Sequence, residues 1–91
     1  MIDFKFILIM KKIIKISSPT CMECLALDKM LKKDMVDFSN IDCIEDPSAV
    51  KKYEVFAVPT LILLNNDEEI LRMTKINYTE YKNIIEEFKK N

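Results

Sequence analysis

The 91-residue chain contains no glycine, no histidine and no tryptophan, and it has only three prolines and three cysteines. Glycine normally occupies positions where the backbone turns with positive φ, so asparagine and aspartate are expected to fill those positions, as in Asn65-Asn66-Asp67. Structural zinc takes four ligands, and without histidine the three cysteines are too few for such a site within one chain. Three cysteines are also too few for a structural disulfide framework, and an odd number cannot all be paired within one chain.

An excess of charge of one sign is also lacking. The chain has 14 basic and 15 acidic side chains, a net charge of -1, and its basic residues form no stripe. There is therefore no drive to release counterions from nucleic acid, and we predict no nucleic-acid partner. The 49% of hydrophobic residues and 32% of charged residues are typical of a folded protein, and the length predicts one domain over residues 1–91.

The N-terminal apolar run, Phe6-Ile7-Leu8-Ile9-Met10, is too short to span a bilayer. It is followed by Lys11-Lys12, which reverses the charge order of a signal peptide. We therefore predict a cytoplasmic protein without a membrane partner. In that compartment thiols are kept reduced, and a C-x-x-C pair is more often catalytic or metal-binding than structural.

Hydrophobic patterning predicts the element order β-α-β-α-β-β-α. Strands are predicted at residues 12–17, 38–43, 60–64 and 69–73, and helices at 21–33, at 47–53 after an Asp46 cap, and behind an Asn77 cap. The strand–helix–strand start implies a parallel pair, and the later hairpin adds an antiparallel edge. The predicted fold is α/β, a four-stranded mixed sheet flanked by helices on both faces.

Residues 1–11 have three interpretations. They form an extra edge strand, a short helix, or, if Met10 is the natural start, an appendage over residues 1–9.

Two cysteines stand two residues apart in Cys21-Met22-Glu23-Cys24, between the first strand and the first helix. The C-x-x-C spacing fits a metal clip, a structural disulfide or a redox-active pair. A cysteine at a helix start faces unpaired backbone N–H groups and the positive end of the helix dipole, and both favour the thiolate. Because the thiolate is the nucleophile, this position favours reactivity.

Three features together resemble the thioredoxin-like superfamily, and within it the small thioredoxin- and glutaredoxin-like oxidoreductases. The first is the cysteine pair, preceded by Ser-Pro-Thr and placed between a strand and a helix. The second is Val58-Pro59-Thr60 at the start of the hairpin, which is similar to the family's cis-proline segment. The third is the stretch at 42–47 followed by 51–55, similar to the strand and short helix that precede that proline. The resemblance covers residues 12–90.

The resemblance implies a thioredoxin-like fold and a dithiol–disulfide oxidoreductase that reduces protein disulfides in electron transport and cell redox homeostasis. It implies Cys21 as the nucleophile and Cys24 as the resolving thiol, with Val58, Pro59 and Thr20 contacting the substrate. The redox-active Cys21–Cys24 disulfide would need no further cofactor. The expected partners are protein disulfide substrates and a thioredoxin-reductase-like electron donor, and a monomer is expected.

Two other functions stay open. One is a binding or adaptor module that uses the thioredoxin fold without turnover, and the other is a metal site at the cysteines. The third cysteine, Cys43, also has two interpretations. It is either a small buried apolar residue at the end of a strand or an accessory thiol near the active-site surface.

The chain departs from the family pattern at several positions. Thioredoxins usually have tryptophan before the first cysteine and Gly-Pro between the two, where this chain has Thr20 and Met22-Glu23. The charge of Glu23 is expected to oppose the thiolate of Cys21 and to give a more reducing pair. Lys15 stands where thioredoxins carry a buried acid, so either the strand register differs or that acid is absent. Because the Gly-Gly segment of glutaredoxins is missing, no glutathione site is predicted.

Overall fold

The computed structural model describes residues 10–90, which contain seven secondary-structure elements. In chain order they are β1 Lys11–Ser17, α1 Met22–Lys33, β2 Ser39–Asp42, α2 Pro47–Lys52, β3 Thr60–Asn65, β4 Glu68–Thr74 and α3 Tyr78–Lys89. The predicted element order is confirmed, and its boundaries shift only slightly. Of the segment with three interpretations, residues 1–9 lie outside the described residues, and Lys11 begins β1. Within residues 10–90, no helix has the length and apolar character needed to cross a bilayer.

The strands form a four-stranded sheet in the order β2-β1-β3-β4. β1 pairs in parallel with β2 and antiparallel with β3, and β3 pairs antiparallel with β4. The predicted mixed sheet is therefore confirmed. The central position of β3 explains its continuous apolar run, since Thr60 to Leu64 are all buried. The edge strand β2, with the sequence SNID, has no fully buried residue.

Each face of the sheet carries its own hydrophobic cluster, because successive side chains of a strand point to opposite faces. On one face Ile13 packs in a cluster with Leu27 of α1 and Ile84 of α3. On the other face Ile14 belongs to a cluster against which Val50 of α2 packs. Helices therefore lie on both faces of the sheet, as predicted.

Without glycine, the chain still adopts positive φ at five of the described residues. Asn66 and Asp67, at φ 54° and 67°, form the two-residue loop of the β3–β4 hairpin. Two consecutive positive φ values are the mark of a type I′ turn, which matches the twist of the two strands. At these two positions the expectation that asparagine and aspartate replace glycine is confirmed.

The other three positive-φ residues show that this expectation was wrong as a general rule. Met35, Glu54 and Lys75 adopt φ values of 55°, 50° and 63°. Residues with long side chains are unfavourable in this region, at about 1–2 kcal/mol each. The contacts made on either side of these residues must therefore outweigh the local preference.

Two of these residues end helices in the manner normally assigned to glycine. After α1, the Val36 N–H donates to the Leu31 carbonyl at 3.0 Å and the Met35 N–H donates to the Lys32 carbonyl at 3.1 Å. These are the two hydrogen bonds of a Schellman motif, with Met35 in the left-handed position. The same pair of bonds recurs after α2, around Glu54. Burial of the next residue, Val36 in the first case, anchors the motif to the core.

Side-chain caps begin α2 and α3 at the predicted residues. The Ala49 N–H donates to Asp46 Oδ1 at 3.3 Å, and the Glu80 N–H donates to Asn77 Oδ1 at 3.0 Å. Each cap satisfies one of the backbone donors that a helix start leaves unpaired.

Candidate active site

The cysteine pair lies beyond the carboxyl end of β1, where the chain enters α1. Cys21 is the N-cap of α1, and Cys24 lies in the first turn of the helix. The two sulfurs are joined in a disulfide, and the Cα atoms are 5.2 Å apart, within the range found for such bonds. The spacing of two residues thus brings both sulfurs together at the helix N-terminus.

The two cysteines differ in exposure. The residue Cys24 is 3% exposed, whereas Cys21 is partly exposed. The Cys24 N–H donates to Cys21 Sγ at 3.0 Å, so the sulfur occupies the place of a capping side-chain oxygen. The backbone donors and the positive helix end both favour negative charge on that sulfur. Of the two cysteines, Cys21 is therefore the more accessible to solvent.

The Val58–Pro59 segment lies at the same end of the sheet as the cysteine pair. Its peptide bond is cis, and Pro59 is buried. Thr60, the next residue, pairs with Ile16 near the end of β1, which fixes the segment beside the turn that leads to the cysteines. The Pro59 carbonyl accepts a hydrogen bond from the Lys75 N–H at 2.8 Å. The sheet register therefore joins parts of the chain that are far apart in sequence.

The residues predicted to contact substrate do not share one environment. Thr20 precedes Cys21 in the turn after β1 and is exposed, and Val58 is partly exposed. Pro59, in contrast, is buried. Solvent therefore reaches Thr20, Cys21 and Val58, while Pro59 is packed inside the fold.

The charge between the two cysteines is paired. Glu23 Oε2 lies 3.3 Å from Lys75 Nζ, and both side chains are about half exposed, at 47% and 57%. Lys75 also donates its backbone N–H to Pro59, so one residue contacts both the cysteine turn and the proline segment. The ammonium group of Lys75 therefore partly offsets the carboxylate charge of Glu23.

The third cysteine lies apart from the disulfide. Cys43 follows β2, its N–H donates to the Ser17 carbonyl at 2.8 Å, and its partly buried side chain packs in the cluster on the sheet face opposite α1. This packing fits a small apolar residue at a strand end, and a redox role for Cys43 stays a prediction. Over residues 10–90, no three side chains of histidine, cysteine, aspartate or glutamate are grouped so as to hold a metal ion.

Lys15 is buried beneath the site, in the central strand β1. It is 4% exposed and pairs with Leu61 in the register, so it lies in the regular strand and the position holds a lysine, not an acid. Its Nζ lies 3.2 Å from Asp28 Oδ1 on α1. Asp28 is not among the site residues predicted from the sequence, although its spacing gives a signal. Asp28 follows Cys24 by four residues, a spacing that puts both on one face of the helix.

Asp28 joins two lysines. Its Oδ2 lies 2.8 Å from Lys32 Nζ, while its Oδ1 contacts Lys15. The hydrogen bond from Lys32, followed by the hydrogen bond and charge of Lys15, lowers the pKa of Asp28 against the opposing effect of burial. The carboxyl group is therefore ionised at neutral pH and acts as a counterion.

Comparison with known proteins gives one family. The family model described as Thioredoxin matches residues 5–90 of this chain. The SPbeta prophage-derived thioredoxin-like protein YosR of Bacillus subtilis (strain 168) is 25% identical over 79 residues, which are 86% of this chain and 99% of that protein.

Solved structures agree with the family model. Thioredoxin 1 from the thermophilic eubacterium Thermosipho africanus TCF52B is 33% identical, with a TM-score of 0.69 over 85% of this chain and 92% of that one. Thioredoxin F from spinach chloroplast, in its short form, has a TM-score of 0.79 over 90% of this chain and 79% of that one, at 19% identity. At that identity the second similarity supports the fold alone.

Proposed function

The chain belongs to the thioredoxin family, and from this premise we propose that it reduces protein disulfides by dithiol exchange through Cys21 and Cys24. The thioredoxin domain with its cysteine disulfide supports a thiol–disulfide oxidoreductase. One observation carries the finer proposal: Cys21 is partly exposed and caps the helix, whereas Cys24 is buried one turn further in. This difference in exposure supports different roles for the two sulfurs.

The exchange begins with the reduced pair. The Cys21 thiolate attacks one sulfur of the substrate disulfide, a Cys21–substrate bond forms, and the other substrate sulfur leaves as a thiolate that takes up a proton. The Cys24 thiolate then attacks Cys21 Sγ, the bond from Cys21 to the substrate breaks, and the second substrate sulfur leaves. Two electrons have passed to the substrate, and the Cys21–Cys24 disulfide remains.

Substrate contacts are proposed around the partly exposed Cys21. Val58 lies just before the paired residues of β3, and its main chain would pair with an extended substrate segment while Pro59 and Thr20 border the reacting sulfur. Large apolar side chains near these segments are well exposed, namely Met22 at 79% and Phe56 at 92%. Exposed apolar surface of this kind favours protein substrates over small polar disulfides.

Regeneration of the reduced pair requires an electron donor. We propose a thioredoxin-reductase-like flavoprotein in the cytoplasm, with the protein acting as a monomer and the Cys21–Cys24 pair as its redox group.

The test is the reduction of a generic protein disulfide, such as insulin, by dithiothreitol in the presence of catalytic amounts of the protein. The parent protein should accelerate the reduction, and Cys21→Ser should abolish the acceleration. Cys24→Ser should accumulate a mixed disulfide between Cys21 and the substrate, visible on non-reducing gels. Cys43→Ser is the matched control, since it removes the cysteine that lies outside the pair.

Two results would contradict the proposal. If the parent protein forms its disulfide but reduces insulin no faster than dithiothreitol alone, the adaptor function replaces catalysis. If Cys24→Ser traps no substrate while Cys43→Ser loses activity, the roles assigned to the cysteines are wrong.

A further inference from the structure

The lysine in the middle of β1 is buried, and its ammonium group contacts one carboxylate and one aromatic ring. Lys15 is 4% exposed, shares its face of the sheet with the apolar Ile13, and lies 5.6 Å from the centroid of the Phe38 ring. Burying an ammonium group is costly unless it is paired, and its partner Asp28 has to be supplied from α1. Apolar residues of similar size often replace such a pair without loss of stability. Stability alone therefore does not explain why a charged pair occupies this buried position, and we consider a role in the function of the site.

The charge pair and the second cysteine share one cleft. The cleft has a volume of about 400 Å³, and its lining includes Lys15, Asp28 and Cys24. The other charged residues that line it are Lys32 of α1, which contacts Asp28, and Asp42 at the end of β2. Cys24 therefore shares this cleft with two cationic and two anionic side chains, and the ion pair of Glu23 with Lys75 lies at the adjacent turn.

We propose that Lys15 acts on the reaction through Cys24, holding a positive charge below it that favours the Cys24 thiolate, with Asp28 as the counterion that limits this effect. The inference deepens the proposed dithiol exchange and rests on it. Burial disfavours the charged form of a thiol, and a nearby cation offsets that penalty. Lys15 therefore does not react with substrate. It is a positioning residue that places a positive charge near Cys24, and Cys24 remains the reacting group.

The affected step is the release of substrate. The Cys24 thiol loses its proton to solvent, its thiolate attacks Cys21 Sγ, the Cys21–Cys24 bond forms, and the substrate sulfur leaves with the electron pair of the broken bond. A cation that favours the thiolate increases the fraction of Cys24 ready to attack. It also stabilises the reduced pair relative to the disulfide and so raises the reduction potential.

The two charges predict opposite effects when each is removed. Asp28 serves as a counterion here, and its contacts with Lys32 and Lys15 lower its pKa and so make its carboxylate a weaker base. Lys15→Met should therefore raise the apparent pKa of the Cys24 thiol by about one unit. Asp28→Asn should lower it, because Lys15 then acts without compensation.

The experiment titrates Cys24 alone, in a protein that also carries Cys21→Ser and Cys43→Ser. Ultraviolet absorbance of the thiolate reports its ionisation against pH and requires no substrate. The matched control is Lys12→Met, which removes an exposed lysine from the same strand and should leave the titration unchanged. Circular dichroism checks that each variant is folded.

A second measurement uses the intact cysteine pair. The reduction potential, taken against a glutathione buffer series, should fall in Lys15→Met and rise in Asp28→Asn. At neutral pH the attack of Cys24 on the mixed disulfide should slow about threefold in Lys15→Met, because tenfold less thiolate is partly offset by a stronger nucleophile.

The outcomes separate the two proposals. If both variants raise the apparent pKa of Cys24, Asp28 does not limit the effect of Lys15 and the inference is wrong; if neither variant shifts it, the pair is only structural. Should the titration shift as expected while the parent protein fails to reduce insulin, the proposed function is wrong and the electrostatic coupling remains. If Lys15→Met does not fold, Asp28→Asn and its opposite sign decide the question.

Discussion

Met35 offers a direct measure of what the chain loses by having no glycine. It occupies the left-handed position of the Schellman motif after α1, at φ 55°, and its side chain is 89% exposed. Met35→Gly removes a left-handed cost of about 1–2 kcal/mol. Glycine also has more conformational freedom to lose on folding, which takes back about 0.5–1 kcal/mol. The difference of the two ranges is about 0–1.5 kcal/mol, and from its middle we expect the variant to be more stable by about 0.5–1 kcal/mol.

Because the Met35 side chain is exposed, the change in stability should come from the backbone and not from lost packing. Because Met35 buries little surface, its truncation removes few contacts, and the two hydrogen bonds of the motif are made by the main chain. For a domain of this size, the gain corresponds to a rise in Tm of about 2–8 °C. Urea unfolding of the oxidised protein, with unchanged m, measures the free energy of unfolding directly.

Alanine is the matched control for the backbone argument. Met35→Ala removes the same side chain but keeps the Cβ atom that makes left-handed φ unfavourable, so it should be close to neutral. Glu54→Gly repeats the test after α2, where the same motif occurs. If Met35→Gly is less stable than the parent, or if Met35→Ala gains as much as glycine, the reasoning is refuted.

Three further predictions follow from side-chain contacts. Tyr81, buried and hydrogen-bonded to Asp34 Oδ2 at 2.6 Å, has a raised pKa because of burial first and then the carboxylate. This stabilisation is complete below the unfolded-state pKa of about 10 and is lost as pH rises above it. Tyr81→Phe should lower the free energy of unfolding by about 1 kcal/mol at neutral pH. Above pH ~10 its free energy of unfolding should fall less steeply with pH than that of the parent, and an identical slope contradicts this. Glu23→Gln should change the alkylation rate of Cys21 by a few-fold at most, because Lys75 already offsets its charge, and a large increase at neutral pH would show that the pairing is ineffective. Asn77→Ala removes the cap of α3 and should lower the free energy of unfolding by about 0.5–2 kcal/mol in urea titrations, with Asn77→Asp close to the parent.

The buried pair below the cysteines changes how the site is understood. Thioredoxin-like proteins are expected to carry an acid in the strand before the cysteines, and Lys15 occupies that place here. The carboxylate comes instead from α1, at Asp28. The positive charge of this buried pair thus lies on β1 and the negative charge on α1.

Much of this architecture could be predicted from the sequence. Apolar periodicity, β-branched runs and caps together predicted every described strand and helix, because these signals depend on residues that are near one another in the chain. Asp46 and Asn77 marked helix starts for the same reason, since a cap bonds to a backbone group three residues away. The cysteine spacing and the Val58-Pro59-Thr60 stretch located the candidate site.

The tertiary structure decided what depends on distant partners. Lys15 can be buried only because Asp28 on another element reaches its Nζ, and Glu23 is offset only because the turn after β4 brings Lys75 beside it. Met35 adopts a left-handed conformation against its local preference because the Schellman hydrogen bonds and the buried Val36 hold the chain there. Local sequence carries the preference of each residue, but only packing between elements sets which preferences are overruled and which charges are compensated.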